Sequence, residues 1–264
     1  MSRYFKAEIK ENHPLNANHH LLSLKNLEPM NEPLPGQFYM LGMGEKGFDP
    51  LLKRSFCFFE RNEDGFQILY RIKGRGTSIM GKMKKGAVID LLGPLGNSYP
   101  LPSSSQNPII IAGGVAIASV FSLIGKLSKR AYVFYGARTK DELLMIEELK
   151  GISRELYLCT DDGSLGEKGT VVDPLKKFLA SQHSAISLPA GRQGSHLIYA
   201  CGPAPMLKAV SVIAADNKIK GYISLEENMA CGVGACVGCV AKTKKGYSRV
   251  CKEGPVFPIE EVVW

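Results

Sequence analysis

A change of pattern at residues 101–108 governs what this chain can fold into. The segment Leu101-Pro-Ser-Ser-Ser-Gln-Asn-Pro108 joins two stretches of opposite character. Before it, strand-like segments at Tyr4–Lys10, Leu21–Leu24, Gln37–Leu41, Ser55–Glu60, Phe66–Arg71 and Ala87–Leu91 alternate with turn signals. These signals are Pro35-Gly36, Glu63-Asp64-Gly65 and Gly93-Pro-Leu-Gly96. Six short strands so punctuated predict a small antiparallel barrel. After the segment, strands at Ile109–Ala112, Tyr132–Tyr135, Glu155–Cys159 and His196–Ala200 alternate with helices. Those helices are Ala116–Leu127, Lys140–Leu149, Val172–Ala180 and Pro205–Asn217. That alternation predicts a parallel sheet with helices on both faces. The fold class is therefore all-β followed by α/β, with domains at 1–100 and 101–218. A small unit rich in cysteine and glycine follows at 219–264. Ala190-Gly-Arg-Gln-Gly-Ser195 reads as a surface loop insertion.

Composition narrows the class further. The 264 residues are 45% hydrophobic and 22% charged, which suits a globular chain with a real core. The net charge of +8 is spread out, and its tightest run is Lys82, Lys84 and Lys85. A solvated lysine surface is expected rather than a nucleic-acid site. The most apolar stretch, Ile109–Ile124, is interrupted by Gly113-Gly114 and is shorter than the ~20 residues of a spanning helix. No membrane association is expected. The polar, alternating N-terminus is unlike a signal peptide, so the expected compartment is the cytoplasm. Seven cysteines, four of them within 231–251, suit a metal or cluster site better than a disulfide framework.

Cys231, Cys236, Cys239 and Cys251 follow C-x4-C-x2-C-x11-C. The first three have the plant-type spacing of a [2Fe–2S] site, and the fourth ligand is distant. Two tetrahedral irons bridged by two sulfides leave four terminal positions for thiolates. Gly232, Gly234 and Gly238 let the loop wrap closely and aim N–H groups at sulfur. Zinc is the alternative, although zinc sites usually use two separated cysteine couples. Cys57, Cys159 and Cys201 lie outside this pattern and are expected as small buried hydrophobes.

Other loops have the chemistry of nucleotide sites. Ile109-Ile-Ile-Ala-Gly-Gly-Val-Ala-Ile-Ala-Ser119 is a strand, a glycine turn and a helix start, where a pyrophosphate can sit. The strict G-x-G-x-x-G pattern is absent, and a plain strand-to-helix turn reads equally well. Gly136-Ala-Arg138, Thr160-Asp-Asp-Gly-Ser164 and Cys201-Gly-Pro203 follow strand ends on the same sheet edge, where α/β folds bind ligands. In the β domain, Lys53-Arg54-Ser-Phe-Cys57 and Tyr70-Arg-Ile-Lys-Gly-Arg-Gly-Thr77 supply charge, open N–H groups and aromatic rings that could flank a flat ligand. A salt-bridged arginine, a turn and core aromatics are the bland reading of each.

Together these features resemble the ferredoxin–NADP reductase superfamily, and within it the electron-transfer subunits of NAD-dependent (class 1B) dihydroorotate dehydrogenases. The resemblance runs through Pro35-Gly-Gln-Phe38, Tyr70-Arg71, Gly74-x-Gly-Thr77, Gly93-Pro-Leu-Gly96, Thr160–Ser164 and Cys201-Gly-Pro-x-Pro-Met206. It is most specific over Ser224–Cys239 and Cys251-Lys-Glu-Gly-Pro-Val-Phe257. It implies FAD at Arg54, Ser55, Phe56, Cys57, Tyr70, Arg71, Ile72, Gly76 and Thr77. It implies NAD at Gly113, Gly114, Cys201, Gly202 and Pro203, and [2Fe–2S] at the four clustered cysteines. The family's R-P-x-S motif reads Arg54-Ser-Phe-Cys57 here, and its G-G-x-G-x-A-P loop reads Gly113-Gly-Val-Ala-Ile-Ala-Ser119. The resemblance further implies a partner subunit that oxidises dihydroorotate at FMN during pyrimidine biosynthesis, in a heterotetramer of two subunits of each kind. Electrons would pass through [2Fe–2S] and FAD to NAD⁺. No general acid or base is expected in this chain. His13, His19, His20, His183 and His196 read as surface or structural residues. The alternatives are a small subunit of an NAD(P)H–ferredoxin oxidoreductase or sulfide dehydrogenase, and a non-enzymatic zinc-stapled module. An aspartate tends to replace one cluster ligand in the flavin-bifurcating relatives, and all four positions are cysteine here.

Overall fold

The computed structural model describes residues 2–43, 49–184 and 195–264. Most of the expected loop insertion, 190–194, lies outside the described residues. The chain divides into two compact units. One comprises 1–98, 225–256 and 263, and the other 99–224, 257–262 and 264.

The first unit is built on seven strands: β1 (Arg3–Pro14), β2 (His19–Asn26), β3 (Phe38–Leu41), β4 (Arg54–Cys57), β5 (Glu60–Arg61), β6 (Gly65–Arg71) and β7 (Val88–Leu95). Helix α1 (Arg75–Met80) follows β6. The strand order is β4-β3-β7-β1-β2-β6-β5, and every pairing is antiparallel. Side chains alternate across each strand, so every second residue points inward. Phe5, Ala7 and Ile9 of β1, Phe66, Ile68 and Tyr70 of β6, and Ile89 and Leu91 of β7 form the core. The Tyr39 and Phe66 rings stack at its centre, 4.2 Å apart. Although separated in the sheet order, β4 and β6 approach each other, which curls the sheet into the expected barrel.

Of the second unit, the structure gives β8 (Asn107–Gly113), α2 (Ile117–Lys126), β9 (Tyr132–Ala137), α3 (Ile146–Ile152), β10 (Glu155–Thr160), β11 (Glu167–Lys168), α4 (Val172–Ser184), β12 (His196–Cys201), α5 (Ala204–Asp216) and β13 (Lys220–Ser224). A two-stranded hairpin, β14 (Val240–Thr243) and β15 (Gly246–Arg249), precedes the last strand, β16 (Val256–Pro258). The large sheet runs β11-β10-β9-β8-β12-β13-β16, with parallel pairing from β11 through β13. Ile109, Ile110 and Ile111 are fully buried, as expected for a strand covered on both faces. Helix α2 touches α3, and α4 touches α5, which gives two helical layers.

Two elements differ from the sequence expectation. Lys140–Leu149 is not one helix. A 3-10 turn at Lys140–Glu142 is followed by extended backbone that buries both Leu143 and Leu144, and α3 begins only after Met145, whose φ is +57°. Burying two consecutive leucines outweighed local helix preference. Residues 220–224 fall within the expected cysteine-rich unit, but they form β13, a strand not expected from the sequence, which extends the parallel sheet beside β12. Residues 225–256 share a compact unit with the barrel.

Candidate functional site

The sheet order reverses between β8 and β12, because the chain moves outward from β8 through β9 and then returns to its other side. Such a switch point opens a crevice beyond the carboxyl ends of the strands. The expected nucleotide residues meet there. A Cβ placed on Gly113 would lie 2.8 Å from Pro203 Cδ, and one on Gly202 would lie 3.2 Å from the Gly113 nitrogen. The two loops are therefore in backbone contact, and only glycine fits between them. Gly114 has φ +56° with open space where a side chain would stand. A 3-10 turn at Gly114–Ala116 leads into α2.

Tyr135, which sequence reasoning did not single out, fixes this turn. Its buried hydroxyl donates to the Gly114 carbonyl at 3.1 Å and accepts from the Leu144 N–H at 3.0 Å. Burial drives its pKa upward, so the proton stays in place. Ala116 is 6% exposed in ordinary helical geometry, so its methyl faces the interior of the protein. Ser119 is buried, with its hydroxyl 3.2 Å from that of Tyr99. The neighbouring loops are committed internally. The Thr160 hydroxyl exchanges hydrogen bonds with Leu165, and the Asp162 carboxylate accepts from the N–H and hydroxyl of Ser164. Those bonds hold the Asp162 carboxyl below its usual range. The Arg138 guanidinium grips Glu142.

In the barrel, curling brings the two expected flavin segments together. A Cβ on Gly76 would meet the Arg54 guanidinium at 3.3 Å, so the arginine lies against the first turn of α1. Arg54 donates to the carbonyl of Leu52. Ser55, Phe56, Cys57, Arg71 and Ile72 are half-buried around the same place. The Thr77 hydroxyl bonds within its own loop. It accepts from the N–H groups of Lys73 and Gly74 and donates to the Gly74 carbonyl, which shapes the loop. Tyr70 is in the core, 2% exposed, and its hydroxyl donates to Asn12 Oδ1 at 3.0 Å. Its inward parity with Phe66 and Ile68 carried that signal. Phe56 packs edge-on against the Tyr70 ring and retains surface for a flat ligand. Cys57, expected to be buried, is half-buried, whereas Cys159 and Cys201 are buried as expected. His19 is buried and bonded to Asn16, a structural role, and the His183 side chain lies outside the described residues.

Among the four clustered cysteines, the Cys231 thiol hydrogen-bonds with Cys236 and the Cys251 thiol with Cys239, and Cys251 also feels the charge of Cys231. Among the described residues, no three His, Cys, Asp or Glu side chains group around one ion position. Cys239 and Cys251 are buried, and Cys236 is exposed. Backbone N–H groups serve the sulfurs. Val233 and Cys236 donate to Cys231 at 3.4 and 3.5 Å, Gly234 to Cys251 at 3.1 Å, and Cys251 to Cys239 at 3.4 Å. The N–H of Cys236, with that of Val233, brings the Cys231 thiol down to about 6 against an opposing burial effect. Burial, then the Cys239 thiol, pushes Cys251 up to about 12. The loop lies directly on β3, since a Cβ on Gly232 would meet Met40 Cγ at 2.6 Å. Asn97 ties the returning chain to the barrel. Its side chain donates to the carbonyls of Glu253 and Val256 and accepts from the Val256 N–H.

The chain aligns over its full length, at 33% identity and 100% of both chains, with the dihydroorotate dehydrogenase B (NAD⁺) electron transfer subunit of Desulforamulus reducens. It belongs to that family. The subunit of the same name from Fusobacterium nucleatum is 39% identical over 86% of each chain. Residues 226–263 match the model of the iron-sulfur cluster binding domain of dihydroorotate dehydrogenase B, and 110–212 match the oxidoreductase NAD-binding domain. Family membership thus rests on both the cysteine unit and the parallel sheet. A solved NADH-dependent reduced ferredoxin-NADP oxidoreductase, studied for flavin-based electron bifurcation, superposes with TM-score 0.82 at 28% identity, covering 98% of this chain and 90% of that one. The ferredoxin NADP⁺ reductase of Neisseria gonorrhoeae, with bound FAD and NADP, shares the fold at TM-score 0.65 and 17% identity, covering 86% of this chain and 95% of that one. The family resemblance read from the sequence and the barrel-plus-parallel-sheet fold are both borne out.

Proposed function

We propose that this chain is the electron-transfer subunit of a dihydroorotate dehydrogenase B, carrying electrons between a catalytic partner subunit and NAD⁺. The observation that carries this reading is four clustered thiols served by the backbone N–H groups of Val233, Gly234, Cys236 and Cys251. A [2Fe–2S] cluster takes four thiolates, and N–H groups aimed at the sulfurs support it. When bound, FAD and the cluster supply hydride and single-electron chemistry that side chains cannot.

The chain's own residues do the rest. Cys231, Cys236, Cys239 and Cys251 hold the cluster. Arg54 provides the charged fork against Gly76, and Ser55, Phe56, Cys57, Tyr70, Arg71, Ile72 and Thr77 shape the FAD cradle. The Arg54 guanidinium, packed against Gly76, is a charged fork that suits a phosphate-bearing ligand. Gly113, Gly114, Cys201, Gly202 and Pro203 present backbone to NAD. By this division, 1–100 serves FAD, 101–218 serves NAD and 219–264 serves the cluster. No residue is assigned proton transfer.

The partner would oxidise dihydroorotate at FMN, in a heterotetramer of two subunits of each kind. A cytoplasmic setting belongs to the same reading. Among the described residues, no helix is long and apolar enough to cross a membrane. The second reading is a small subunit of an NADH-dependent ferredoxin oxidoreductase, which the full-length superposition favours. The four-cysteine ligand set supports the first.

An anaerobic visible-absorption titration of the purified chain with NADH tests the proposal. Flavin and cluster bands that bleach on NADH addition are expected. Bands that respond to dithionite but not to NADH would overturn the nucleotide assignment, and a colourless protein would overturn all of it. Bleaching by dihydroorotate when the FMN subunit is added is expected of the first reading, and bleaching only by reduced ferredoxin of the second.

A further inference from the structure

The turn that carries Cys251 is closed on itself and reaches across to the cysteine loop. The Arg249 carbonyl accepts from the N–H groups of Lys252 and Glu253 at 3.0 and 2.9 Å. In return, the Glu253 carboxylate accepts from the Arg249 N–H at 2.7 Å and from its guanidinium at 3.1 and 2.5 Å. The remaining arm of the fork, Nη1, donates to the Gly234 carbonyl at 2.9 Å. The N–H of that same Gly234 donates to Cys251 Sγ at 3.1 Å, the shortest of the four N–H···S contacts. The circuit therefore runs from Cys251 through its own turn to Arg249, across to Gly234, and back to the Cys251 sulfur. Gly234 sits at φ +80°, where a Cβ would be 2.9 Å from Lys252 Cβ, so the contact is close and the backbone conformation is one that side chains disfavour.

We propose that Arg249 is a positioning residue for the iron–sulfur site: held by Glu253, it fixes Gly234 so that its N–H stays aimed at the Cys251 sulfur and raises the cluster's reduction potential. This rests on the cluster reading given above. A hydrogen bond to a ligand sulfur withdraws negative charge and so favours the reduced, more negative state. Lysine cannot replace the planar fork, which must grip Glu253 and Gly234 at once.

The test uses Arg249→Lys and Arg249→Gln in the full chain with its cofactors. Iron content is measured first, then the cluster midpoint potential, then the shift of the Fe–S stretching bands on H/D exchange. Both variants are expected to keep iron. Both should disfavour reduction by about tenfold, which is about 59 mV for one electron, and both should lose part of the H/D sensitivity. A wild-type potential in Arg249→Lys would overturn the proposal, because charge alone would then suffice. Loss of iron from both variants would assign Arg249 a structural role only and would also overturn it. Absence of iron from the wild-type chain would refute the cluster reading itself and is distinguished at the first step.

Discussion

Replacing Gly202 by alanine probes the contact on which the nucleotide crevice depends. The added Cβ would stand 2.4 Å from Met206 Cε, 3.0 Å from Met206 Sδ and 3.2 Å from the Gly113 nitrogen. The methionine side chain can swing away, but the Gly113 backbone cannot move without dragging the turn that Tyr135 holds at Gly114. Inserting a carbon into a packed place costs about 1–3 kcal/mol. If Met206 absorbs half, about 0.5–1.5 kcal/mol falls on the turn, which is roughly two- to tenfold in NADH affinity. The assay is an anaerobic NADH titration followed at the flavin band, with dithionite as the cofactor control. In Gly202→Ala combined with Met206→Ala, the Gly113 contact alone remains, and part of the affinity should return. Wild-type NADH affinity in the single variant, with both cofactors present, would show that this crevice does not bind the nucleotide.

Four further outcomes are expected. Cys236→Ser should lose or cripple the cluster signal while FAD is retained; a full-strength signal would remove Cys236 from the ligand set. Ala116→Gly should leave NADH affinity level and lower stability by about 1 kcal/mol, since the methyl faces inward; tighter NADH binding would show that it obstructs the loop. Tyr39→Phe should stabilise the chain by about 1–2 kcal/mol in denaturant unfolding. The Tyr39 hydroxyl is buried with no hydrogen-bond partner among the described residues, and a loss of stability would reveal one. In iron-free protein at pH 7, iodoacetamide should alkylate Cys231 well before Cys251. The Cys231 rate should fall as the pH drops through about 6, where its thiolate takes up a proton, and equal rates would contradict the hydrogen-bond pattern.

Much of the fold was legible because burial follows parity. Phe5, Ala7 and Ile9 alternate as a barrel strand must, and Ile109–Ile111 read as a covered parallel strand. The same parity places Tyr70 in the core, where its ring backs that of Phe56. Strand β13 was missed because Lys220-Gly-Tyr-Ile-Ser224 is short and glycine-bearing, and only its neighbour β12 makes it a strand. The broken helix at 140–149 reflects tertiary burial of Leu143 and Leu144, which local preference does not encode. Cysteine spacing groups four thiols, but does not say which of them bond to one another. Arg249 and Tyr135 act through backbone carbonyls far away in sequence, and such contacts leave no local signature.

The barrel unit is discontinuous in the chain: it is left at residue 98 and completed only by 225–256. Asn97 waits for Glu253, 156 positions later, before its side-chain bonds can close. During synthesis, the barrel strands and strands β8 through β13 emerge before any of the four clustered cysteines does. The first three of these cysteines then arrive within nine residues and the fourth twelve residues later. A nascent chain therefore displays an incomplete thiol set only between Cys231 and Cys251. A product truncated before Cys251 would lack both the fourth thiol and the Glu253 carbonyl that Asn97 binds.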